Sequence, residues 1–432
     1  MKTLGAIAGR GLAALVVLLA CRMEALAGAV KVADGCFWDR EGHRVILRGL
    51  NVANASKVKP YLPWQGPEHF AKMRQWGCNC VRFLVLWAGV EPQPGRYDDA
   101  YLDALRQRLD WAAEAGLYVI LDMHQDVFGE KYGFDGAPAW ACLDNGVQFS
   151  RDDTHLWGAN YFDPAVMTAF DSFWANAPAP DGLGVQEHFV RAWRYVVEKL
   201  GSHPAVIGYD LLNEPFYGNI LREPQTVAAF VKISAILPLG SNPLELFSPT
   251  RSARMQAFMA DPGKLFRALD CADGVFRRFE EDKLMPFYER LTAALAELTP
   301  GAIFFLEPHI FASAGANSFL TRPLAAGRDI MVAYAPHYYD PGCTPAIPYD
   351  GNPARAAEAF RRMAATALRL RAPVLLGEFG DAESPRETSY QYVRDQLLLL
   401  RQMGFSFCYW EYGPDLESRP CFPALLEAFK GD

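Results

Sequence analysis

The sequence contains no basic run, no low-complexity tract and no internal repeat. Beyond its first thirty residues it has no apolar stretch approaching the ~18 residues that mark a membrane span. Lysine and arginine number 42 against 50 aspartates and glutamates, a formal net charge of −8, with the two signs interspersed. That distribution argues against a nucleic-acid surface and suits a neutral or apolar substrate better. No Gly-rich phosphate fingerprint follows any strand-like run, which argues against a dinucleotide-binding open sheet. With 51% hydrophobic and 13% aromatic residues the chain is not disordered, and 432 residues can bury a large core as one big domain or two smaller ones.

The first thirty residues carry Lys2 and Arg10, then roughly ten apolar residues and a small-x-small site at Ala25-Leu26-Ala27, the layout of a secretory signal. Residues 1–27 are therefore expected to be a leader and the protein to be secreted or periplasmic, with lipid anchoring through Cys21 as the alternative. Eight of nine cysteines remain after the leader: Cys36, Cys78, Cys80, Cys142, Cys271, Cys343, Cys408 and Cys421. An even number permits disulfides in an exported protein, but spacing does not give the pairing. Cys78 and Cys80, two apart on an expected strand, face the same way, which suits neither a mutual disulfide nor an isolated zinc knuckle.

Eight β-branched and aromatic runs, at 43–52, 79–87, 117–126, 206–215, 302–309, 330–339, 373–380 and 405–412, alternate with amphipathic segments such as 101–116, 187–201, 284–298, 352–370 and 387–404. This predicts a (β/α)8 TIM barrel, its strands nearly continuously apolar because both faces are covered. The barrel is expected to occupy residues 28–432 as a single domain, with a capping hairpin at 30–42, a last helix at 423–432 and no C-terminal β-sandwich. Two connections exceed the usual handful of residues, one after strand 3 (about 127–186, rich in Trp and Phe) and one after strand 4 (about 216–272, containing the apolar segment 227–239). Loops on the catalytic face shape the substrate site.

The expected C-terminal strand ends carry chemistry: His124-Gln125-Asp126, Asn213-Glu214, His337-Tyr338-Tyr339, Glu378 and Trp410-Glu411. Strands 4 and 7 lie on roughly opposite sides of such a barrel, so Glu214 and Glu378 can face each other as the two carboxyls that glycoside cleavage requires. A separation of about 5–5.5 Å implies retention of anomeric configuration and one above about 6.5 Å inversion; retention is expected. Arg82 lies within a strand, where an unpaired guanidinium is costly, so it needs a buried carboxylate partner.

Leu212-Asn213-Glu214-Pro215, His337-x-Tyr339, Gly377-Glu378-Phe379-Gly380 and Trp410 resemble, in order, the signature of glycoside hydrolase family 5. The segments 123–141, 160–174, 304–309 and 335–340 are similar to those of its endoglycoceramidase-like branch, whose enzymes release oligosaccharide from ceramide. The resemblance covers about residues 30–415. It implies Glu214 as general acid/base, its carboxyl raised by the negative Glu378, and Glu378 as nucleophile, held ionised by Arg82 and oriented by the Tyr339 hydroxyl. It further implies Asn213 on the sugar 2-hydroxyl, His124, Asp126 and Lys57 on the other hydroxyls, His337 close to Glu214 and Trp410 as a stacking floor. No metal or cofactor is called for.

The function expected is a retaining endo-β-glycosidase cutting between glycan and ceramide, its partner a glycolipid at a membrane or micelle surface, with no nucleic acid and no obligate protein partner. Segment 227–239 and the aromatic loop are the expected walls of an apolar channel for the lipid, and contact with the membrane is a further expectation for the segment 227–239. A family 5 enzyme on a steryl, alkyl or soluble glucoside and an inactive carbohydrate- or lipid-binding protein are the alternatives. Glu307 also precedes a proline at a strand end and is expected to support the site through a hydrogen bond.

Overall fold

The structure, a computed structural model, describes residues 30–431 except 221–222, 242–244, 246–247 and 382–385. The expected leader at 1–27, with Cys21, lies outside the described residues. Three short antiparallel strands come first: β1 (Lys31–Ala33), β2 (Cys36–Trp38) and β3 (Arg44–Val45), with Lys31 opposite Trp38 and Trp38 opposite Arg44. The expected hairpin thus carries a third strand, taken from the beginning of the run 43–52. This small sheet stoppers the N-terminal end of the barrel, where Phe37 stacks on Phe305 at 6.2 Å and packs with Leu47, Ile120 and Ile207.

The barrel strands are β4 (Arg48–Val52), β5 (Cys80–Leu86), β6 (Tyr118–His124), β7 (Val206–Asp210), β8 (Ile303–Leu306), β9 (Met331–Tyr334) with its continuation β10 (His337–Tyr338), β11 (Leu375–Leu376) with its continuation β12 (Glu378–Phe379), and β13 (Ser406–Tyr409). They pair in parallel in the order β11-β13-β4-β5-β6-β7-β8-β9. The ring closes where Tyr334 N–H donates to the Pro373 carbonyl at 2.9 Å, and beyond it through the β10–β12 pair, which sets His337 opposite Glu378. The expected runs 330–339 and 373–380 are each divided in two at this seam. Pro336, between β9 and β10, has no N–H to give a ladder.

Helices cover the outside. Asp98 caps the helix Asp99–Ala115 by accepting the Tyr101 N–H at 3.0 Å, Gly116 ends it in the left-handed conformation, and Leu102, Leu105, Leu109 and Ala112 form its buried stripe. The helix Pro67–Trp76 ends on Gly77, with Cys78 N–H donating to the Met73 carbonyl at 3.1 Å. Cys78 therefore belongs to a helix-ending turn, and strand alternation does not govern it. It packs in the outer core, whereas Cys80 points into the barrel. All eight described cysteines are free thiols. The loop after β6 contains a helix at Pro164–Trp174, and the connection after β7 contains helices at Pro224–Ile236, Ala253–Ala260, Pro262–Asp270 and Asp273–Phe279. Among the described residues no helix is long and apolar enough to cross a membrane.

Inside the barrel, period-two alternation turns an apolar floor into a polar layer: Cys80 is followed by Arg82, Ile120 by Asp122 and His124, Cys408 by Trp410. Gly49 on β4 pairs with Cys80 on one side and Cys408 on the other, and the two thiols meet across it with sulfurs 3.8 Å apart. A methyl group at Gly49 would stand 2.6 Å from Cys80 Sγ and closer still to its carbonyl oxygen. Gly49→Ala is expected to lose roughly 1–3 kcal/mol through overpacking; an unchanged denaturant midpoint would show that the strands can part to admit the methyl.

Candidate active site

Arg82, fully buried on β5, organises the centre of the barrel. Its Nε donates to Asp210 (2.8 Å), one terminal nitrogen to Asn51 (3.1 Å) and Glu378 (2.7 Å), the other to Asn213 (2.9 Å) and Glu307 (2.8 Å). These bonds use all five N–H groups of the guanidinium. Asp122 stands 3.1 Å from the same group and holds His124 Nδ1 at 2.8 Å.

Glu378 is fixed at both oxygens, one on Arg82 and the other accepting the Tyr339 hydroxyl at 3.0 Å. Glu214 sits four residues beyond the end of β7, and its backbone is left-handed, with φ of 44°. That conformation is unfavourable for a side-chain-bearing residue, and its neighbours hold it. Glu307 accepts the Glu214 N–H at 2.7 Å, and Gln125 donates to the carbonyls of Asn213 (2.9 Å) and Glu214 (3.1 Å). A carboxylate oxygen of Glu214 and one of Glu378 lie within 4.8 Å of each other, with His337 beside both, 3.1 Å from Glu214 and 3.7 Å from Glu378.

The surroundings push these two glutamates in opposite directions. Burial raises the Glu214 carboxyl above its ordinary value, His337 opposing and Glu378 adding to the rise. The expected direction holds, but burial is the leading cause. Burial alone would raise Glu378 too; the positive charges of His337, Arg82, His124 and Lys57 outweigh it and leave that carboxyl below its ordinary value. Burial and Lys57 work against a charged His124, yet Asp122 and Asp126 lift it to about 10. His337 is likewise raised, Glu307 and Glu378 overcoming its burial.

A cavity of about 1000 Å3 opens above these groups. Its polar part is lined by Lys57, His124, Asp126, Asp135 and Trp410; Lys57 lies 4.6 Å above the Trp410 ring and bonds Asp126, and Trp410 stacks on His124. Its apolar part is walled by Phe134, Leu156, Trp157, Tyr161, Phe162, Phe216, Ile310 and Phe311. Segment 227–239, an expected wall, does not line it; Ile310–Ala314 after β8 takes that place together with the aromatic loop. Of the loop's aromatics Phe134, Trp157, Tyr161 and Phe162 reach the cavity, while others such as Phe128, Phe170 and Phe173 pack in the core.

All ten residues singled out in the sequence (Lys57, Arg82, His124, Asp126, Asn213, Glu214, His337, Tyr339, Glu378 and Trp410) converge here. Asn213 stands apart in being almost wholly committed to the protein: its oxygen accepts from Arg82 and its nitrogen donates to the Gln125 carbonyl at 3.0 Å, which leaves one N–H for a ligand. Sequence reasoning passed over Asn51, Asp122, Asp135 and Asp210, and placed Gln125 at a strand end without giving it a role. For Asp122 a signal existed, since an acid two residues before His124 in an apolar strand shares its face. The acid clusters with metal-like geometry, Asp122–Asp210–Glu307 and His124–Asp126–Asp135, already surround protein cations, Arg82 in the first and Lys57 beside the second.

The cellulase family, glycosyl hydrolase family 5, matches residues 38–416, and the chain belongs to it. It is similar to the glucosylceramidase of Aspergillus fumigatus (30% identity, covering 44% of this chain and 33% of the relative) and to the endoglycoceramidase of Cyanea nozakii (31%, 43% and 41%). The matches thus span well under half the length of these two curated relatives. Among solved structures it is similar to the lactosyl-enzyme intermediate of endo-glycoceramidase II from Rhodococcus sp., with a TM-score of 0.65 and 28% identity over 87% of this chain and 75% of that one.

Arg82→Met would strand four carboxylates around an apolar side chain. It is expected to cost about 3–5 kcal/mol. The deprived carboxyls would have their folded-state affinity for protons raised, so the deficit should grow as pH rises and shrink on acidification; thermal midpoints of variant and wild type at two pH values measure it, and a pH-independent gap would refute the electrostatic origin.

Proposed function

We propose that the protein hydrolyses the β-glycosidic bond between the glycan and the ceramide of glycosphingolipids, with retention of anomeric configuration. One observation carries the reading: a single cavity is polar and carboxylate-rich at one part, aromatic at the other, with Glu214 and Glu378 lining it. The oxygen separation within 4.8 Å supports attack by a carboxylate; inversion needs a wider gap that leaves room for water. Glu378, ionised, attacks the anomeric carbon as its bond to the lipid oxygen breaks, and Glu214 delivers its proton to that oxygen. Water then attacks the glycosyl ester, Glu214 takes up the proton, and Glu378 leaves as carboxylate. Lys57, His124, Asp126 and Trp410 hold the sugar, and the aromatic wall receives the lipid. The names of the relatives, glucosylceramidase and endoglycoceramidase, support a ceramide aglycone.

A second reading, removal of a lone glucose from a lipid, is favoured by the identity with the fungal glucosylceramidase. Incubation with lactosylceramide, glucosylceramide and cellotetraose, read by mass spectrometry beside Glu378→Gln, separates the two. Intact lactose and ceramide are expected. Glucose from glucosylceramide alone would favour the second reading, and cleavage of cellotetraose alone would discard the lipid aglycone.

The rate depends on Glu378 being ionised and Glu214 protonated. It should rise with pH through a value below that of an ordinary glutamate and fall through one above it, giving a bell. Glu214→Gln should remove the alkaline limb on an activated aryl glycoside and lower turnover of the lipid substrate by roughly 10²–10⁴-fold. An alkaline limb that survives in this variant would assign the proton to another group.

A further inference from the structure

The helix Pro224–Ile236 is apolar almost all round, with Lys232 as its one charge, yet Ala229 is its one buried residue. Ala229, Ile233 and Ile236 turn toward the molecule, where Ile233 and Ile236 join a small core with Leu237, Phe258 and Leu265. Val227, Phe230 and Val231 recur at i, i+3 and i+4 on the opposite face and stand 61%, 53% and 63% exposed, with Leu239 just beyond at 94%. An apolar helix in water calls for a partner.

Its placement says which. It belongs to the connection after β7, whose first residues include the cavity residue Phe216, and it packs against the helix Asp273–Phe279. Phe276 of that helix lies 5.1 Å from Phe311 of the cavity wall. One helix, Asp273–Phe279, thus stands between the exposed helix and the apolar wall of the cavity. The cavity rim carries apolar groups as well, since Val58 and Trp157 both line the cavity and stand exposed, beside the exposed Lys59. Between residues 224 and 241 there is one cation and no acid, so the face suits a neutral lipid surface and needs no anionic headgroup.

We propose that Val227, Phe230, Val231 and Leu239 form a docking face that lays the mouth of the cavity against a zwitterionic lipid surface. The proposal rests on the lipid-aglycone reading of the cavity for its purpose, but it can be read without catalysis. The full-length protein and the double variant Phe230→Glu/Val231→Glu, sharing the same N-terminus, are sedimented with phosphatidylcholine vesicles that contain no glycolipid, at low and at high salt. The wild type should bind, with little loss at high salt, and the variant should lose at least tenfold of its bound fraction.

Turnover is then followed on a glycosphingolipid in the same vesicles and on a soluble aryl lactoside. The variant should fall at least tenfold on vesicles and keep its rate on the soluble substrate, which also shows that it is folded. Wild-type protein that stays off the vesicles, or a variant that binds as well as wild type, overturns the docking face. A wild-type dimer that the substitutions render monomeric, read by light scattering, would assign the face to a second copy and overturn it too. Vesicle binding without any cleavage of glycosphingolipid would uphold the docking face and refute the substrate reading.

Discussion

One guanidinium holds the site together. Arg82, on β5, offers five N–H groups in a rigid plane, and strands β4, β7 and β12 with the chain just beyond β7 and β8 all place an acceptor on it. A lysine at this position would supply a point charge and three donors, and could not hold Asn51, Asp210, Asn213, Glu307 and Glu378 in one plane. The arrangement is costly unless the charges balance, because buried ions lose their hydration. Seven carboxyls (Asp122, Asp126, Asp135, Asp210, Glu214, Glu307 and Glu378) share this region with four cations: Lys57, Arg82, His124 and His337. Burial and neighbouring acids strengthen the hold of Asp210, Glu214 and Asp135 on a proton, the last lifted to about 7. The raised carboxyl of Glu214 is thus one of several effects of crowding acids into a buried pocket.

The two glutamates differ because of what each strand end delivers to them. Glu378 on β12 meets Arg82 and the Tyr339 hydroxyl, so both its oxygens receive donors and its charge is stabilised. Glu214 is carried past the end of β7 on a backbone turn that Gln125 and Glu307 secure, and its carboxyl faces His337 with fewer donors. His337 lies between them because it sits in register with Glu378, and Gly377 permits it: a Cβ there would stand 2.9 Å from the imidazole. The acid and the nucleophile are the same amino acid made unlike by position.

The barrel was legible in the sequence because each strand is a continuous apolar run between helical segments, and its chemistry because polar groups interrupt those runs at their C-terminal ends. The seam was not: Ala335-Pro336 and Gly377 look like mid-strand residues until one asks which N–H groups the ladder needs. Asp122 and Asp210 read as residues inside strands, and only the barrel's closure turns both toward Arg82. Asp135 lay hidden because it sits in a long loop, where no periodicity says which way a side chain points. Segment 227–239 misled for a related reason. Its composition called for an apolar surrounding, which the cavity or a membrane could each supply, and composition carries no direction to choose between them.

The division of the cavity follows from the architecture. The barrel interior and the first residues after each strand hold the charged groups, whose spacing the strand register fixes to within the length of a hydrogen bond. The aromatic side comes from the connections: 156–162 in the long loop after β6, Phe216 after β7 and 310–314 after β8. These contacts are van der Waals contacts between rings, such as Tyr161 with Phe216 at 5.0 Å and Phe162 with Phe216 at 5.7 Å, and they tolerate shape changes that ion pairs do not. A change of leaving group can therefore be accommodated in the loops without disturbing Arg82 and its acceptors, whereas a change of sugar must pass through Lys57, which bonds Asp126, and His124, two cations that also hold the nucleophile's carboxyl down.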